Sequence, residues 1–180
     1  TAVAGNAQAT ISFTAPASSG GSAITGYTIT STPGNKTVTT TTTSGTVTGL
    51  TNGTSYTFTI IATNARGNST PSNSSSSVIP STVPNAPTNV TAVAGNAQAT
   101  ISFTAPASNG GTAITGYTIT STPGNKTVTT TTTSGTVTGL TNGTSYTFTV
   151  IATNARGNST PSSSSSSVTP STVPNAPTNV

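Results

Sequence analysis

The chain contains no Asp, Glu, His, Cys, Met or Trp, and its only charged side chains are Lys36, Arg66, Lys126 and Arg156. Each absence removes a class of chemistry. General acid–base catalysis near neutral pH draws on a carboxylate, an imidazole or a perturbed lysine, and strong metal sites draw on cysteine, histidine or carboxylates. Only lysine remains, so the sequence points away from an enzyme and offers no metal or cofactor site. A Ser–Lys nucleophile pair carries no signal where serine and threonine stand everywhere. Without cysteine no disulfide staples the fold, and the redox compartment cannot be read. The four cations fall as two pairs ninety residues apart, too sparse for the basic stripe that nucleic acid demands. No signal peptide or membrane span occurs within these residues, which says little about a window taken from the interior, and no membrane insertion is expected of them.

What the chain does have is hydroxyl groups. It carries 48 Thr and 27 Ser, 75 of 180 residues, against 29 Leu, Ile, Val and Phe combined. That apolar share, about 16%, lies under the roughly 20% below which disorder becomes common. Disorder also needs high net charge, however, and +4 over 180 residues is low. Composition leaves the question open, and pattern decides it.

Comparing residue i with i+90 shows differences only at Ser19/Asn109, Ser22/Thr112, Ile60/Val150, Asn73/Ser163 and Ile79/Thr169, so eighty-five of ninety positions match. A period of ninety is long enough for each unit to be a domain with its own core. The chain opens on Thr1-Ala-Val-Ala-Gly, which corresponds to Thr91 onward, and closes on Ala176-Pro-Thr-Asn-Val180. It therefore reads as a window on a longer periodic polypeptide. Residues 1–80 form a first domain lacking the start of its first strand, 81–84 a proline-containing linker, 85–170 a complete domain, and 171–180 the next linker and the start of a further repeat. Prolines in Pro80-Ser-Thr-Val-Pro84 favour an extended, semi-rigid connection.

Within the unit, alternation dominates. Ala99, Ile101, Phe103 and Ala105 interleave with Thr100, Ser102 and Thr104, and Tyr146, Phe148, Val150 and Ala152 interleave with Thr147, Thr149 and Thr153. A period of two with one apolar face predicts half-buried strands. Tyr117 and Ile119 mark a third, and Thr127 to Thr133, β-branched almost throughout, suits an exposed fourth. Glycine and asparagine in Asn109-Gly-Gly111, Pro123-Gly-Asn125 and Asn142-Gly143 supply turns that need positive φ. No segment has helical spacing. The fold expected is an all-β sandwich around Val90, Ala99, Ile101, Phe103, Tyr117, Ile119, Val137, Leu140, Tyr146, Phe148, Val150 and Ala152, with Phe13, Leu50, Tyr56 and Phe58 as counterparts in the first unit.

These residues resemble a known family over essentially the whole unit, the fibronectin type III domains, and among them the bacterial extracellular kind. Ala86-Pro-Thr-Asn-Val90 resembles the family's first-strand entry. Leu140-Thr-Asn-Gly-Thr-Ser-Tyr146, followed by Thr-Phe-Thr-Val-Ile-Ala-Thr-Asn154, resembles its corner tyrosine and sixth strand, and Leu50 and Tyr56 repeat the motif. The resemblance implies tandem immunoglobulin-like sandwiches in an elongated array, with the tyrosine hydroxyl bonded back to nearby backbone. Phe13 and Phe103 stand where the family usually places tryptophan, and the acidic residues common on its surfaces are missing.

Candidate surface sites are few. Arg66-Gly-Asn68 and Arg156-Gly-Asn158 occupy the loop in which some relatives carry an integrin-binding Arg-Gly-Asp. Asparagine cannot supply the carboxylate a metal ion requires, so these read as turns that need glycine. The run Thr37 to Thr43 presents a Thr array of the sort that could face ice or polysaccharide, yet threonine is also an ordinary solvent-facing strand residue, and open sheets twist. No aromatic side chain is spare for a sugar platform. Asn-x-Ser/Thr occurs at Asn35, Asn52, Asn68, Asn73, Asn89, Asn125, Asn142 and Asn158, leaving the surface open to glycosylation at Asn, Ser or Thr. Alternation turns Ile61 and Ile151 away from the core, where they are candidates for a lateral contact between copies. A nearly neutral surface lacks the repulsion that keeps proteins apart. The function expected is a structural repeat of a long extracellular or cell-surface protein, a filament, sheath or stalk whose partner is itself. The alternatives are the passive stalk of an adhesin, and a spacer in a secreted polysaccharide-degrading enzyme.

Overall fold

The computed structural model describes residues 1–176. It forms two compact units, Thr1–Thr82 and Val83–Val180. The start of a further repeat expected at 171–180 falls partly outside the described residues. No helix occurs among the described residues, and the chain is all-β.

The first unit has seven strands: β1 (Ala2–Gly5), β2 (Gln8–Ser12), β3 (Ile24–Thr32), β4 (Thr37–Thr40), β5 (Ser44–Thr48), β6 (Thr57–Asn64) and β7 (Gly67–Asn68). They build an antiparallel three-stranded sheet in the order β1-β2-β5 and a four-stranded sheet in the order β4-β3-β6-β7. The second unit repeats the plan with β8 (Thr88–Gly95), β9 (Gln98–Thr104), β10 (Ile114–Thr122), β11 (Thr127–Thr130), β12 (Ser134–Thr138), β13 (Thr147–Asn154) and β14 (Gly157–Asn158). Its sheets run β12-β9-β8 and β11-β10-β13-β14.

The alternation in the sequence becomes burial. Along β9, Ala99, Ile101 and Phe103 are buried while the residues between them are exposed, and along β13 Phe148, Val150, Ala152 and Asn154 face inward. Two sheets each with one apolar face must bury those faces against each other. The core of the second unit consists of Ala99, Ile101, Phe103, Tyr117, Ile119, Val137, Leu140, Tyr146, Phe148, Val150 and Ala152, with Val90 packed partly buried against it. The expected turns also take the left-handed region, with Gly110 at φ 74°, Gly124 at 85°, Asn125 at 49° and Gly143 at 84°.

Two expected elements are different. The strand expected over Thr127 to Thr133 stops at Thr130. The Thr132 N–H donates to Thr130 Oγ1 at 3.1 Å, and Thr132 Oγ1 donates to the Ser134 carbonyl at 3.1 Å. Hydroxyls that bond to adjacent backbone offer it an alternative to the ladder, so the threonines make the bend into β12. Ala105, expected to continue the inward face of β9, is exposed beyond the strand's end. Pro106 follows, and proline has no N–H for the ladder.

Around the connection, the Gly53 N–H donates to the Pro80 carbonyl at 2.9 Å and the Ser81 N–H to the Gly5 carbonyl at 3.1 Å, both within the first unit. The Asn85 N–H donates to the Ser108 carbonyl at 3.0 Å within the second.

Candidate functional site

The sharpest motif, Leu140 to Tyr146, organises one end of the sandwich through a chain of hydrogen bonds. The Thr141 N–H donates to the Tyr146 hydroxyl oxygen at 3.0 Å. Asn142 Oδ1 accepts from the Ala97 N–H at 2.8 Å, and Asn142 Nδ2 donates to Asn96 Oδ1 at 2.8 Å. The Leu140 N–H donates to the Ala97 carbonyl at 3.0 Å. The motif therefore clamps the β8–β9 hairpin, whose Ala97 sits at φ 53°. The first unit repeats it, with Thr51 N–H to the Tyr56 hydroxyl at 3.0 Å and Ala7 N–H to Asn52 Oδ1 at 2.8 Å. Donation from the Thr141 amide favours the ionised phenol and holds the Tyr146 pKa below its ordinary value of 10.0. This is a structural joint rather than a reactive one.

The aromatic residues fill the core beside it. Phe58, Phe148 and Leu50 and Leu140 are buried. Phe103 packs edge-to-face on Tyr117 with centroids 4.9 Å apart, and Phe13 on Tyr27 at 4.9 Å. Phe103 is buried, whereas Phe13 is only half-buried.

A third feature gave no signal in the sequence. Beyond β13, Ser159, Ser162 and Ser165 run antiparallel to the strand at every third position. The Ser162 N–H donates to the Val150 carbonyl at 2.9 Å while Ser162 Oγ accepts from the Val150 N–H at 2.9 Å. Ser159 treats Ala152, and Ser165 treats Phe148, in the same way. Each hydroxyl then donates to the carbonyl of the next residue. Three residues of this segment thus accompany two of the strand, about 6.7 Å of strand length. Serine oxygen replaces the carbonyl that a paired strand would bring. Ser69, Ser72 and Ser75 do the same along β6. A polar run of serine has no apolar periodicity, so pattern reading passes over it.

The exposed candidates lie apart from one another. Arg66-Gly-Asn68 and Arg156-Gly-Asn158 form the β6–β7 and β13–β14 turns. Asn64 Oδ1 accepts the Arg66 N–H at 2.8 Å, and Asn68 Oδ1 accepts the Thr63 hydroxyl at 2.7 Å, so the Asn68 oxygen serves the turn. Ile61 pairs with Thr28 and Ile151 with Thr118. Both isoleucines sit half-buried on the outer face of the four-stranded sheet, away from the core. On that face Thr25, Thr28, Thr39 and Thr63 flank Gly26 around a shallow hollow of about 480 Å³. Of the glycan acceptor motifs, Asn52 and Asn142 spend their amides on the corner clamp. Asn35, Asn68, Asn73, Asn89, Asn125 and Asn158 are exposed.

Seven antiparallel strands in sheets of three and four, closed by a corner tyrosine, define an immunoglobulin-like sandwich. The sequence profile of the fibronectin type III domain matches residues 1–78 and 85–169. The chain belongs to that family, as two domains in tandem.

Comparison with curated protein sequences finds no match. Among solved structures, the chain is similar to domains A168–A170 of titin, at 22% identity and a TM-score of 0.53, over 92% of this chain and 60% of that one. It is similar to the FN1–FN3 domains of chicken CNTN1 at 24% identity and a TM-score of 0.50, over 90% of this chain and 62% of that one. Half of it, 49%, is similar to part of the structure of titin kinase and its flanking domains, at 33% identity and a TM-score of 0.45, spanning 17% of that chain. At these identities the likeness is one of fold. Tandem domains of this family are typically non-catalytic and fit a structural or spacer repeat.

Proposed function

We propose that this chain is a structural repeat segment of a long extracellular or cell-surface protein, forming a filament, sheath or stalk, and that it is not an enzyme. The observation that carries the reading is the distribution of the differences between the two domains: five in ninety positions. Recognition modules diversify their exposed loops, because that is where binding lives. Here the turns at Arg66-Gly-Asn68 and Arg156-Gly-Asn158 and the threonine face around Gly26 and Gly116 are copied almost unchanged. Identical units suit a part whose task is length and mechanical continuity.

The chemistry of the surface supports the same role. It has no carboxylate or imidazole to change charge with the surroundings, which suits an exterior whose pH is uncontrolled. Its partners on this reading are neighbouring repeats and lateral copies of itself, with Ile61 and Ile151 at the lateral contact, rather than nucleic acid or membrane. Electron microscopy of native surface material tests the proposal. The expected result is ordered multi-chain filaments or sheets with an axial repeat of about 30–40 Å per domain, from strands of about eight residues at roughly 3.3 Å each. Single strings ending in a globular head would reduce the role to a stalk, and the absence of any such repeat would overturn it.

A further inference from the structure

Asparagine precedes glycine at Asn52-Gly53, Asn109-Gly110 and Asn142-Gly143. That pair is the reactive form of asparagine. Because glycine has no Cβ, its backbone nitrogen can close on the Cγ of the asparagine before it. The new N–Cγ bond forms as the Cγ–Nδ2 bond breaks, the backbone N–H proton leaves with the amide nitrogen, and ammonia departs from a cyclic succinimide. Water then opens the ring. Cleavage of its Cγ–N bond gives aspartate, and cleavage of the bond from nitrogen to the α-carbonyl gives isoaspartate. Nothing is oxidised or reduced, and water is the sole co-reactant.

The fold treats these pairs differently. Ring closure requires the side-chain amide to leave its hydrogen bonds and swing over its own backbone. Asn142 Oδ1 is held by the Ala97 N–H at 2.8 Å and Asn142 Nδ2 by Asn96 Oδ1 at 2.8 Å, and the Gly143 N–H donates to the Pro170 carbonyl at 2.9 Å. Asn52 is restrained in the same way by the Ala7 N–H and Asn6 Oδ1, both at 2.8 Å, with the Gly53 N–H on the Pro80 carbonyl at 2.9 Å. These partners belong to other segments of each domain, so the corner must open locally before its asparagine can react. Asn109 has no such anchor. Its Oδ1 accepts from the Gly111 N–H at 2.9 Å and the Gly110 N–H donates to Ser108 Oγ at 3.2 Å, both bonds inside a single loop. Asn109 and Asn142 are both exposed, so contact with water does not separate them. Restraint does. Gly110 is buried, which slows removal of its proton without tying the Asn109 amide.

We infer that Asn109 is the site at which the folded chain deamidates, and that the corner clamps keep Asn52 and Asn142 as amides. Ser19 stands at the matching place of the first domain, so the modification distinguishes two otherwise nearly identical units. The sequence encodes no Asp or Glu, and the product is its first side-chain carboxylate, which lowers the formal charge of +4 by one at pH 7. The acid arises next to the Arg156 turn. Asn154 Nδ2 donates to the Asn109 carbonyl at 2.8 Å, and Asn154 Oδ1 accepts from the Arg156 N–H at 2.8 Å. In the first domain the equivalent Ser19 and Arg66 line a single hollow of about 410 Å³. Modification thus brings a carboxylate to a turn that carries one of the chain's few cations.

The test is peptide mass mapping of the whole chain held in mildly alkaline buffer, with and without urea. In the folded chain Asn109 should convert at least about tenfold faster than Asn52 and Asn142, which must first break their side-chain hydrogen bonds. In urea nothing holds any of them, and the rates should converge to within about twofold. On isoelectric focusing the main acidic form should be absent from Asn109→Ser, which installs the first domain's own residue. The clamp is tested separately by Asn96→Ala, which strips the partner from Asn142 Nδ2. Conversion at Asn142 should rise several-fold, while Asn52, whose clamp is intact, keeps its parent rate. Conversion at Asn142 as fast as at Asn109 in the folded parent overturns the inference, as does a folded chain that stays unmodified at Asn109 while the unfolded one reacts. An Asn142 that reacts no faster in Asn96→Ala overturns the protective role of the clamp.

Discussion

Ala7 and Ala97 occupy the left-handed region, at φ 52° and 53°, where a Cβ crowds the following carbonyl at about 1–2 kcal/mol. Both head the hairpins that Asn52 and Asn142 clamp, so the cost is held in place by two hydrogen bonds per corner. Glycine removes the crowding but loses about 0.5–1 kcal/mol to backbone entropy. Ala97→Gly should therefore leave stability unchanged or raise it by up to about 1 kcal/mol, read as a higher urea midpoint. Asn142→Ala should do the opposite, because it strips the acceptor from the Ala97 N–H and the donor from Asn96 Oδ1. The expected loss is about 1–2 kcal/mol, from two hydrogen bonds of about 1 kcal/mol each. If Asn142→Ala unfolds at the parent midpoint, the clamp is a bystander.

Serine ladders along β6 and β13 work at the scale of the element. A strand at the edge of a sheet presents unpaired N–H and C=O groups that can template association. Here serine meets both groups of Phe148, Val150 and Ala152 with one residue, leaving that edge of the sheet no partner to recruit. Ser162→Ala leaves the Val150 N–H without an acceptor in a buried setting, which costs about 1–3 kcal/mol. Ser72→Ala removes the same bond to Ile60 where Ser72 is exposed and water can substitute. The prediction is a larger drop in urea midpoint for Ser162→Ala than for Ser72→Ala, with faster amide exchange at Val150; equal drops would show that burial of the ladder is irrelevant. The alternating strands were legible in the sequence because burial of one sheet face leaves a period-two trace at Ala99, Ile101 and Phe103 and at Phe148, Val150 and Ala152. The corner was legible through Leu140 and Tyr146. The serine ladder was not, since its period of three serves hydrogen bonding and leaves no apolar stripe.

At the scale of the whole molecule, what matters is the near absence of titration. Stability changes with pH only where the folded and unfolded states bind different numbers of protons. The chain has no Asp, Glu or His, the side chains whose reference values fall between about pH 3 and 9 in a chain that also lacks cysteine. The urea midpoint should stay level across that window. Acid, which unfolds most proteins by protonating paired carboxylates, finds none to protonate. At the alkaline edge Tyr146 sets the sign. Its folded pKa is lowered from 10.0 by the Thr141 amide, so just under pH 10 the unfolded chain holds the proton more often than the folded one. Stability from this group is absent below the folded value, grows as pH rises through it and is complete above 10, giving a slight upward slope that Tyr146→Phe should remove. Denaturant titrations at intervals from pH 3 to 10 would measure this directly. A steep loss near pH 4 would contradict the account at its base, because no side chain in the sequence could carry it.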